Sequence, residues 1–197
     1  MVRTPQANGK SYRTERSVPT IRKGAVLLLS IFFMSGNAAI HAVEPDGTAL
    51  SLTFLGDLIP HGALSALSDA SFEDLSASLL GDDLTFANLE TPVDPRKPAS
   101  GFPTFNAPLT YVEAARRGGI EVFSLANNHS LDQGVCGAAE TESAFRRLSL
   151  RYRPLYRSGL EGWSRGLPEY TVIEIKGYTI GFLATTHFLN KWPGDAA

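Results

Sequence analysis

The 197-residue sequence predicts an α/β protein in which strands and helices alternate along the chain and pack in layers. Two observations predict this fold. Apolar segments of strand length, at 50–57, 84–90 and 120–129, are separated by segments with the apolar spacing of amphipathic helices. Each of the three apolar segments also ends in polar residues, as expected where the carboxyl edge of a parallel sheet builds a ligand site.

Composition and charge limit the classes of function. The sequence is 43% hydrophobic and 19% charged, which is ordinary for a globular protein. Residues 1–42 carry six Lys or Arg and one Glu, about +5, so the remainder of a chain of net charge -2 carries about -7. A body this acidic argues against nucleic acid as a partner. The single cysteine, Cys136, has no disulfide partner within the chain and is expected to be a small idle thiol.

The first 42 residues predict a targeting segment. A basic leader is followed by the 11-residue apolar run GAVLLLSIFFM and then by small and polar residues. A membrane-spanning helix needs about 20 apolar residues, so this run is shorter than a bilayer requires. We expect residues 1–42 to be a signal peptide that is cut after Ala39 or Ala42, or else an uncleaved N-terminal anchor. Either one predicts export to the periplasm or another extracytoplasmic site.

A short linker at 43–49 precedes the domain predicted over 50–197. Apolar residues alternate along 50–57, as in a strand with one buried face, and this strand ends at Asp57. Residues 71–80 predict a helix, because their apolar residues share one face and a capping pair precedes them.

The middle of the chain predicts two further strands. Residues 84–90 form the second apolar strand, and four prolines within 91–107 predict a stiff loop over the same end of the sheet. A helix follows over about 106–119, with Asn106 as its cap and two glycines at its end. Residues 120–129 form the third strand.

The last third of the chain predicts a helix and a hairpin. The helix covers 138–150. Its inward-facing residues are Thr141, Phe145 and Leu148. Two strands within 170–185 are joined through Lys176-Gly177 and predict a hairpin. The basic stretch 146–157 predicts a solvated helix end and loop, which could also meet an anionic polymer or a lipid headgroup.

Hard oxygen donors and one imidazole are concentrated at the three strand ends. These residues are Asp57, Asn88, Glu90, Asn127, Asn128, His129 and Asp132. Such groups suit Mn, Mg, Fe or Zn ions, and a carboxylate can bridge two of them. Two ions about 4 Å apart clamp a phosphoryl group and activate water, while a histidine beside them would protonate the leaving oxygen. His61, four residues after the first aspartate, is a further candidate for the same site.

Each of these residues also has an ordinary structural explanation when it is considered alone. Asp57 could cap a following helix, and Asn88 and Glu90 could form hydrogen bonds within a loop. The asparagines at 127–128 could stabilise a turn, and a lone histidine is more often structural than catalytic. Only the shared position at three strand ends favours a common polar site over these separate explanations.

The same segments resemble the bacterial capsule-synthesis family of poly-γ-glutamate synthesis proteins, the CapA-like family. The resemblance rests on "FLGD", "DLTFANLETPV" and "FSLANNHSLDQG", and it continues through "EIKGYTIGFLATT" to cover about 50–190. This family is similar in fold to calcineurin-like metallophosphoesterases. The resemblance therefore implies a layered metallophosphoesterase-like sandwich with its site at the carboxyl edge of the sheet.

The resemblance also implies roles for individual residues. Asp57 takes the place of the first-strand aspartate, Glu90 that of the bridging acid and Asn128 that of the amide ligand, so all three would bind metal. His129 takes the place of the neighbouring acid histidine and would be catalytic. Residues that support the site or bind substrate would be Asn88, Asn127, Asp132 and His61.

The departures from the metallophosphoesterase pattern predict an incomplete domain. Position 59 is Ile59 rather than the histidine of an Asp-x-His motif, so His61 does not align simply. The later histidine-containing motifs are also missing. We therefore expect the sandwich to be incomplete at the C-terminus of this chain, which would correspond to the N-terminal part of such a domain.

Three functions remain open at this stage. The first is an exported accessory component of anionic-polymer synthesis or export, acting with a membrane polymer-synthesis complex. The second is a metal-dependent hydrolase of a phosphoester or an amide, and the third is an inactive truncated fragment. The first two would bind an anionic polymer or a phosphoester, with one or two divalent metal ions as cofactor.

Overall fold

The computed structural model describes residues 26–28, 38–43, 49–61, 72, 81–160 and 170–190. Eight strands and two helices lie within these ranges. The strands are β1 (Val26–Leu28), β2 (Ala38–Val43), β3 (Ala49–Leu58), β4 (Leu84–Leu89), β5 (Val122–Ser124), β6 (Tyr156–Ser158), β7 (Thr171–Ile175) and β8 (Tyr178–Phe182). The helices are α1 (Leu109–Arg117) and α2 (Gly134–Arg151).

The strands form two sheets. The larger sheet has the order β2-β3-β4-β5-β6, in which β3 to β6 are parallel and β2 is antiparallel to β3. The smaller sheet has the order β1-β8-β7, with β7 and β8 antiparallel and β1 parallel to β8. Because four neighbouring strands run in one direction, their C-terminal ends meet along one side of the larger sheet, which we name the carboxyl edge.

Two apolar cores lie on the two faces of the larger sheet. On one face, residues of β3, β4 and β5 pack against β7 and β8, and the rings of Phe54 and Phe86 stack at 4.7 Å between centroids. On the other face, the same strands pack against α1 and α2, where the rings of Phe123 and Phe145 meet edge to face at 5.3 Å. The molecule is therefore a layered α/β sandwich, which confirms the predicted fold class.

The helix α1 begins later than predicted and has a different N-terminus. The residue that precedes it is Pro108, whose extended backbone sets the start without any side-chain cap. Asn106 was predicted to cap α1, and this prediction is wrong. Its side-chain amide instead bonds the loop backbone at Asp94, Lys97 and Pro98.

The helix α2 begins four residues before the predicted position of 138, at Gly134, whose φ of 71° is a backbone conformation that favours glycine. The predicted inward stripe is confirmed, because Thr141, Phe145 and Leu148 are all buried. The hydroxyl of Thr141 accepts a hydrogen bond from the backbone N–H of Val93 at 2.8 Å, which attaches the 91–107 loop to the helix.

The hairpin is confirmed, whereas β6 was not predicted as a strand. The β7–β8 turn is formed by Lys176 and Gly177, with φ angles of 48° and 82°, as a two-residue turn requires. β6 was predicted as part of a solvated basic stretch. Its Arg157 is instead largely buried, because the guanidinium pairs with Glu142. A three-residue strand has too short an apolar pattern to be recognised in the sequence.

Several predictions concern parts of the chain that lie largely outside the described residues. The predicted helix at 71–80 lies outside the described residues except for Phe72, which is helical and buried. Within 1–42, only β1 and the first five residues of β2 are described, so the signal peptide or anchor remains a prediction. In the described part of the chain, no helix has the length and apolar character needed to cross a bilayer.

Candidate functional site

A bulge in β3 brings Asp57 into register with Asn88 of β4. Earlier in the same pair of strands Phe54 lies opposite Phe86, so β3 uses three residues to advance where β4 uses two. The extra residue shifts the side-chain alternation of β3 by one position, as bulges beside functional sites often do. As a result the side-chain amide of Asn88 donates to Asp57 Oδ1 at 2.8 Å.

Glu90 completes an acidic pair with Asp57. Its backbone N–H donates to the carbonyl oxygen of Leu58 at 3.0 Å, which continues the strand pairing one residue beyond β4. The pKa of Glu90 is raised to about 7, mainly by burial and also by the hydrogen bond with Asp57 and the charges of Asp57 and Asp132. Near neutral pH, Glu90 therefore retains a proton part of the time, because burial and the neighbouring carboxylates both disfavour its charged form.

The side chain of Asn127 joins β4 to the turn that follows β5. Its amide nitrogen donates to Asn88 Oδ1 at 3.2 Å and to the carbonyl oxygen of Leu89 at 2.9 Å. Its amide oxygen accepts the backbone N–H of His129 at 3.1 Å, which closes a tight turn. The predicted strand 120–129 therefore ends early, at Ser124, because these side chains provide the backbone with partners outside the sheet.

His129 and Asp132 form a buried dyad next to this turn. His129 Nδ1 lies 2.7 Å from Asp132 Oδ2. The same carboxylate oxygen accepts the backbone N–H of Phe105 at 2.7 Å, and the Phe105 ring meets the imidazole edge to face at 4.7 Å. The imidazole is thus held by a carboxylate and an aromatic ring, which limits its rotation.

Two predicted site residues lie next to this hydrogen-bond network but their side chains are not part of it. Asn128 is half-buried, and its carbonyl oxygen accepts the backbone N–H of Asn190 at 2.8 Å. Among the described residues its side chain has no hydrogen-bond partner, so the amide remains available to a ligand. His61 is exposed and packs edge to face with Phe105, at 6.1 Å between ring centroids, so it borders the site without joining the network.

Asn190 is a site residue that sequence reasoning missed. After β8 the chain returns to the carboxyl edge, where the backbone N–H of Ala184 donates to Ser158 Oγ at 3.1 Å and Leu189 packs on the helix-side core. Asn190 Nδ2 then lies 3.3 Å from His129 Nδ1 and 3.2 Å from His129 Nε2. An asparagine in an irregular segment carries no periodic signal, so only the fold could reveal this contact.

The predicted stiff loop 91–107 packs against the site and positions Phe105. Its centre is Asp94, which is fully buried and accepts two hydrogen bonds from the guanidinium of Arg96, each at 2.9 Å. This guanidinium holds the pKa of Asp94 below its usual value. Asn106 closes the loop by accepting the backbone N–H of Asp94 at 2.8 Å, and so fixes Phe105 against the dyad.

The donor chemistry of the acidic pair fits a divalent cation. Asp57 and Glu90 supply hard carboxylate oxygens whose mutual repulsion a cation would relieve. Across the described ranges, no three acidic, histidine or cysteine side chains are grouped so that they could hold a metal ion alone. Further oxygen donors would therefore have to be amides such as the side chain of Asn128, or groups of a bound ligand.

Comparison with known proteins gives two matches over this region. Residues 51–197 match the protein family described as "Bacterial capsule synthesis protein PGA_cap". The chain is also 27% identical over 139 residues to "Capsule biosynthesis protein CapA" of Bacillus anthracis. The aligned region covers 65% of this chain and 34% of that relative, so the chain spans about a third of the length of the curated relative.

Proposed function

Because this chain belongs to the bacterial capsule synthesis (PGA_cap) family, we propose that it is an exported accessory component of the synthesis or export of an anionic polymer. In this proposal its carboxyl edge is a metallophosphoesterase-like site that binds an anionic polymer or a phosphoester. One observation supports the proposal above the others. The acidic pair of Asp57 and Glu90 lies at the same edge as the His129–Asp132 dyad, and the edge lies within the region matched by the family.

The acidic pair and its amides would form the cation-binding part of the site. Asp57 is oriented by the amide of Asn88, and Glu90 faces it across the shared hydrogen bond. The side-chain amide of Asn128 would add a neutral oxygen donor. A divalent cation such as Mn, Mg, Fe or Zn, when bound there, would neutralise the acidic pair and attract a phosphoryl or carboxylate group of the ligand.

The dyad would hold a proton next to the bound anion. Asp132 accepts hydrogen bonds from both the Nδ1 side of His129 and the backbone of Phe105, so it fixes the imidazole in one orientation. With Nδ1 bound in this way, the doubly protonated ring would donate from Nε2 to an oxygen of the ligand, which would take the place of the Asn190 amide 3.2 Å away. In an accessory role this proton stabilises a bound anionic group without any bond being broken.

A metal-dependent hydrolase of phosphoester or amide bonds is the second candidate. It is favoured by the dyad, because a carboxylate-oriented histidine is suited to protonate a leaving oxygen or nitrogen. The accessory role remains our main proposal, because among the described residues no three acidic, histidine or cysteine side chains are grouped so that they could hold a metal ion. The N-terminal segment is part of the proposal as a signal peptide or an anchor that would keep the protein at the outer face of the membrane.

Cation binding provides the direct test. Isothermal titration calorimetry of the full chain with Mn²⁺ and Mg²⁺ should show binding that Asp57→Asn and Glu90→Gln each weaken by at least tenfold, which corresponds to about 1.4 kcal/mol. Glu174→Gln is the matched control, because it removes an exposed carboxylate from β7. Equal cation affinity in all four proteins would refute the proposed site.

The accessory and hydrolytic roles separate in a cell that depends on the protein for its polymer. His129→Gln removes the proton donor but leaves the acidic pair intact. If polymer export continues in this variant while Asp57→Asn abolishes it, binding is the required activity. If both variants abolish export and the purified protein hydrolyses a generic phosphoester or amide, the hydrolase is the correct assignment.

A further inference from the structure

An arginine-rich surface lies at the end of the domain opposite to the carboxyl edge. We define this basic patch by five arginines and one leucine: Arg117, Arg146, Arg147, Leu150, Arg151 and Arg153. The helix α2 begins at Gly134, two residues after Asp132, and its 18 residues carry the chain about 27 Å away from the site. The basic patch therefore has no part in the carboxyl edge.

The patch lies in a positively charged segment, whereas the rest of the chain is negatively charged. Residues 142–157 contain five arginines and one glutamate, which gives +4. The whole chain carries -2, so all the remaining residues together carry -6. The one glutamate in this segment, Glu142, is half-buried and already paired with Arg157.

The α1 and α2 ends of the patch form one continuous surface. Arg117 of α1 donates to the hydroxyl of Tyr152 at 2.8 Å, and the neighbouring Arg116 donates to the carbonyl oxygen of Pro154 at 2.8 Å. Arg151 lies with its guanidinium 5.3 Å from the centroid of the Tyr152 ring. These contacts hold the 152–154 turn against the end of α1.

Most of the positive charge on this surface is available to a partner. Arg147 and Arg153 are exposed, and within the described part of the chain neither forms an ion pair. Arg146 and Arg151 have side chains 74% and 70% exposed, although each also contacts a glutamate. Four guanidinium groups therefore face solvent over a small area.

An apolar side chain lies among these charges. Leu150 is 74% exposed, and the helical spacing places it on the same face of α2 as Arg146 and Arg147, while Arg151 directly follows it in the chain. A soluble polyanion would gain little from an exposed leucine, whereas the interface of a bilayer buries it while phosphate groups bind the arginines. Guanidinium groups also bind phosphate oxygens in pairs, which ammonium groups do not. From this combination we infer that the basic patch docks on the surface of a bilayer that contains anionic phospholipid.

Vesicle co-sedimentation of the full chain tests the inference at low salt. Vesicles with 30% phosphatidylglycerol in phosphatidylcholine should bind the protein more tightly than vesicles of phosphatidylcholine alone. Each arginine near an anionic surface contributes about fivefold to partitioning, so Arg147→Gln with Arg153→Gln should weaken binding about 25-fold. Leu150→Ser should weaken it several-fold without changing the charge. All these variants share residues 1–42, so any membrane affinity of that segment cancels in the comparison.

The control removes the same charge from elsewhere on the described surface. Lys97→Gln with Lys176→Gln changes two exposed lysines outside the patch and should leave vesicle binding within about twofold of the unchanged protein. Circular dichroism of each variant checks that the fold is retained. Equal binding by the arginine variant and the control would overturn the inference, because net charge alone would then explain it. Patch-dependent binding to a soluble anionic polymer but not to the vesicles would also overturn it.

Discussion

The carboxyl groups of Asp57 and Glu90 share a hydrogen bond at the carboxyl edge, and the pKa of Glu90 is raised to about 7 as a result of burial and this proximity. Asp57 belongs to β3 and Glu90 directly follows β4, and a bulge in β3 sets the register of Asp57 against β4. A protein that placed two acids here for stability alone would gain nothing from their repulsion. The arrangement is explained if the pair binds a positively charged group, which would offset this repulsion.

Replacing Glu90 should stabilise the protein at neutral pH. The folded-state pKa of about 7 lies above the ordinary value of 4.5, so Glu90 favours folding while it is protonated and opposes folding as the pH rises through that range. Without added cation, Glu90→Gln should therefore unfold at a higher temperature than the unchanged protein at pH 8, and at nearly the same temperature at pH 5. Allowing for solvent screening of a half-exposed carboxyl, we expect a gain of about 1–2 kcal/mol at pH 8.

Differential scanning calorimetry at the two pH values measures this effect. Glu174→Gln serves as the control, because Glu174 is exposed on β7 and is not a site residue. A Glu90→Gln protein that is less stable than the unchanged protein at pH 8 would show that the acidic pair is a net stabilising contact.

Asp94 should matter for folding rather than for the site chemistry. Asp94→Asn removes a fully buried charge that binds the guanidinium of Arg96 through two oxygens, and it should cost about 2 kcal/mol of unfolding free energy. The pKa of Asp94 is lowered in the folded protein, so this stabilisation is present above the ordinary value of 3.8 and is lost as the pH falls through the lowered value.

Urea denaturation at pH 7 and at pH 3 tests the role of Asp94. The difference between the unchanged protein and Asp94→Asn should shrink at the lower pH. Arg96→Lys, which keeps the charge but cannot bind both oxygens, should be intermediate at pH 7. A difference that is independent of pH would mean that shape, and not charge, sets the stability at this position.

Asp132 should determine the orientation of the His129 ring. A single carboxylate oxygen accepts from both the ring and the backbone N–H of Phe105, and in the asparagine variant a neutral amide oxygen, which is a weaker acceptor, would have to replace it. Asp132→Asn should therefore cost about 1–3 kcal/mol and shift the ¹⁵N resonances of the imidazole. Phe105→Leu is the matched control, since it keeps the backbone bond and removes only the ring contact. An unchanged imidazole spectrum in Asp132→Asn would contradict this role.

Gly159 should be required for the turn that presents the site. Its φ is 122°, and a Cβ there would lie 2.6 Å from the backbone nitrogen of Ala126, which precedes Asn127. Gly159→Ala should cost about 3 kcal/mol, because strain and a collision with backbone act together. Gly177 also has a positive φ but has open space around it, so Gly177→Ala should cost only about 1 kcal/mol. Thermal unfolding of the two variants compares them, and equal losses would mean that the contact with Ala126 is unimportant.

The sequence by itself determined the layers of the fold and the positions of the polar residues along the chain. The alternation of Leu50, Leu52 and Phe54 and the helical spacing of Thr141, Phe145 and Leu148 come from burial, which repeats with the period of the element. The β7–β8 turn was equally clear because Lys176-Gly177 separates two apolar strands. Such local patterns are visible without knowledge of partners that are distant in the chain.

Only the tertiary structure decided which polar groups meet. The bulge that pairs Asp57 with Asn88, the return of Asn190 to His129 and the role of Asn106 in the loop all depend on contacts between distant segments. A side chain with several possible partners takes the one that the packed backbone brings within hydrogen-bonding distance, and the sequence does not contain that distance. The same reason explains why His61, four residues from Asp57 in the chain, lies at the border of the site in the folded protein.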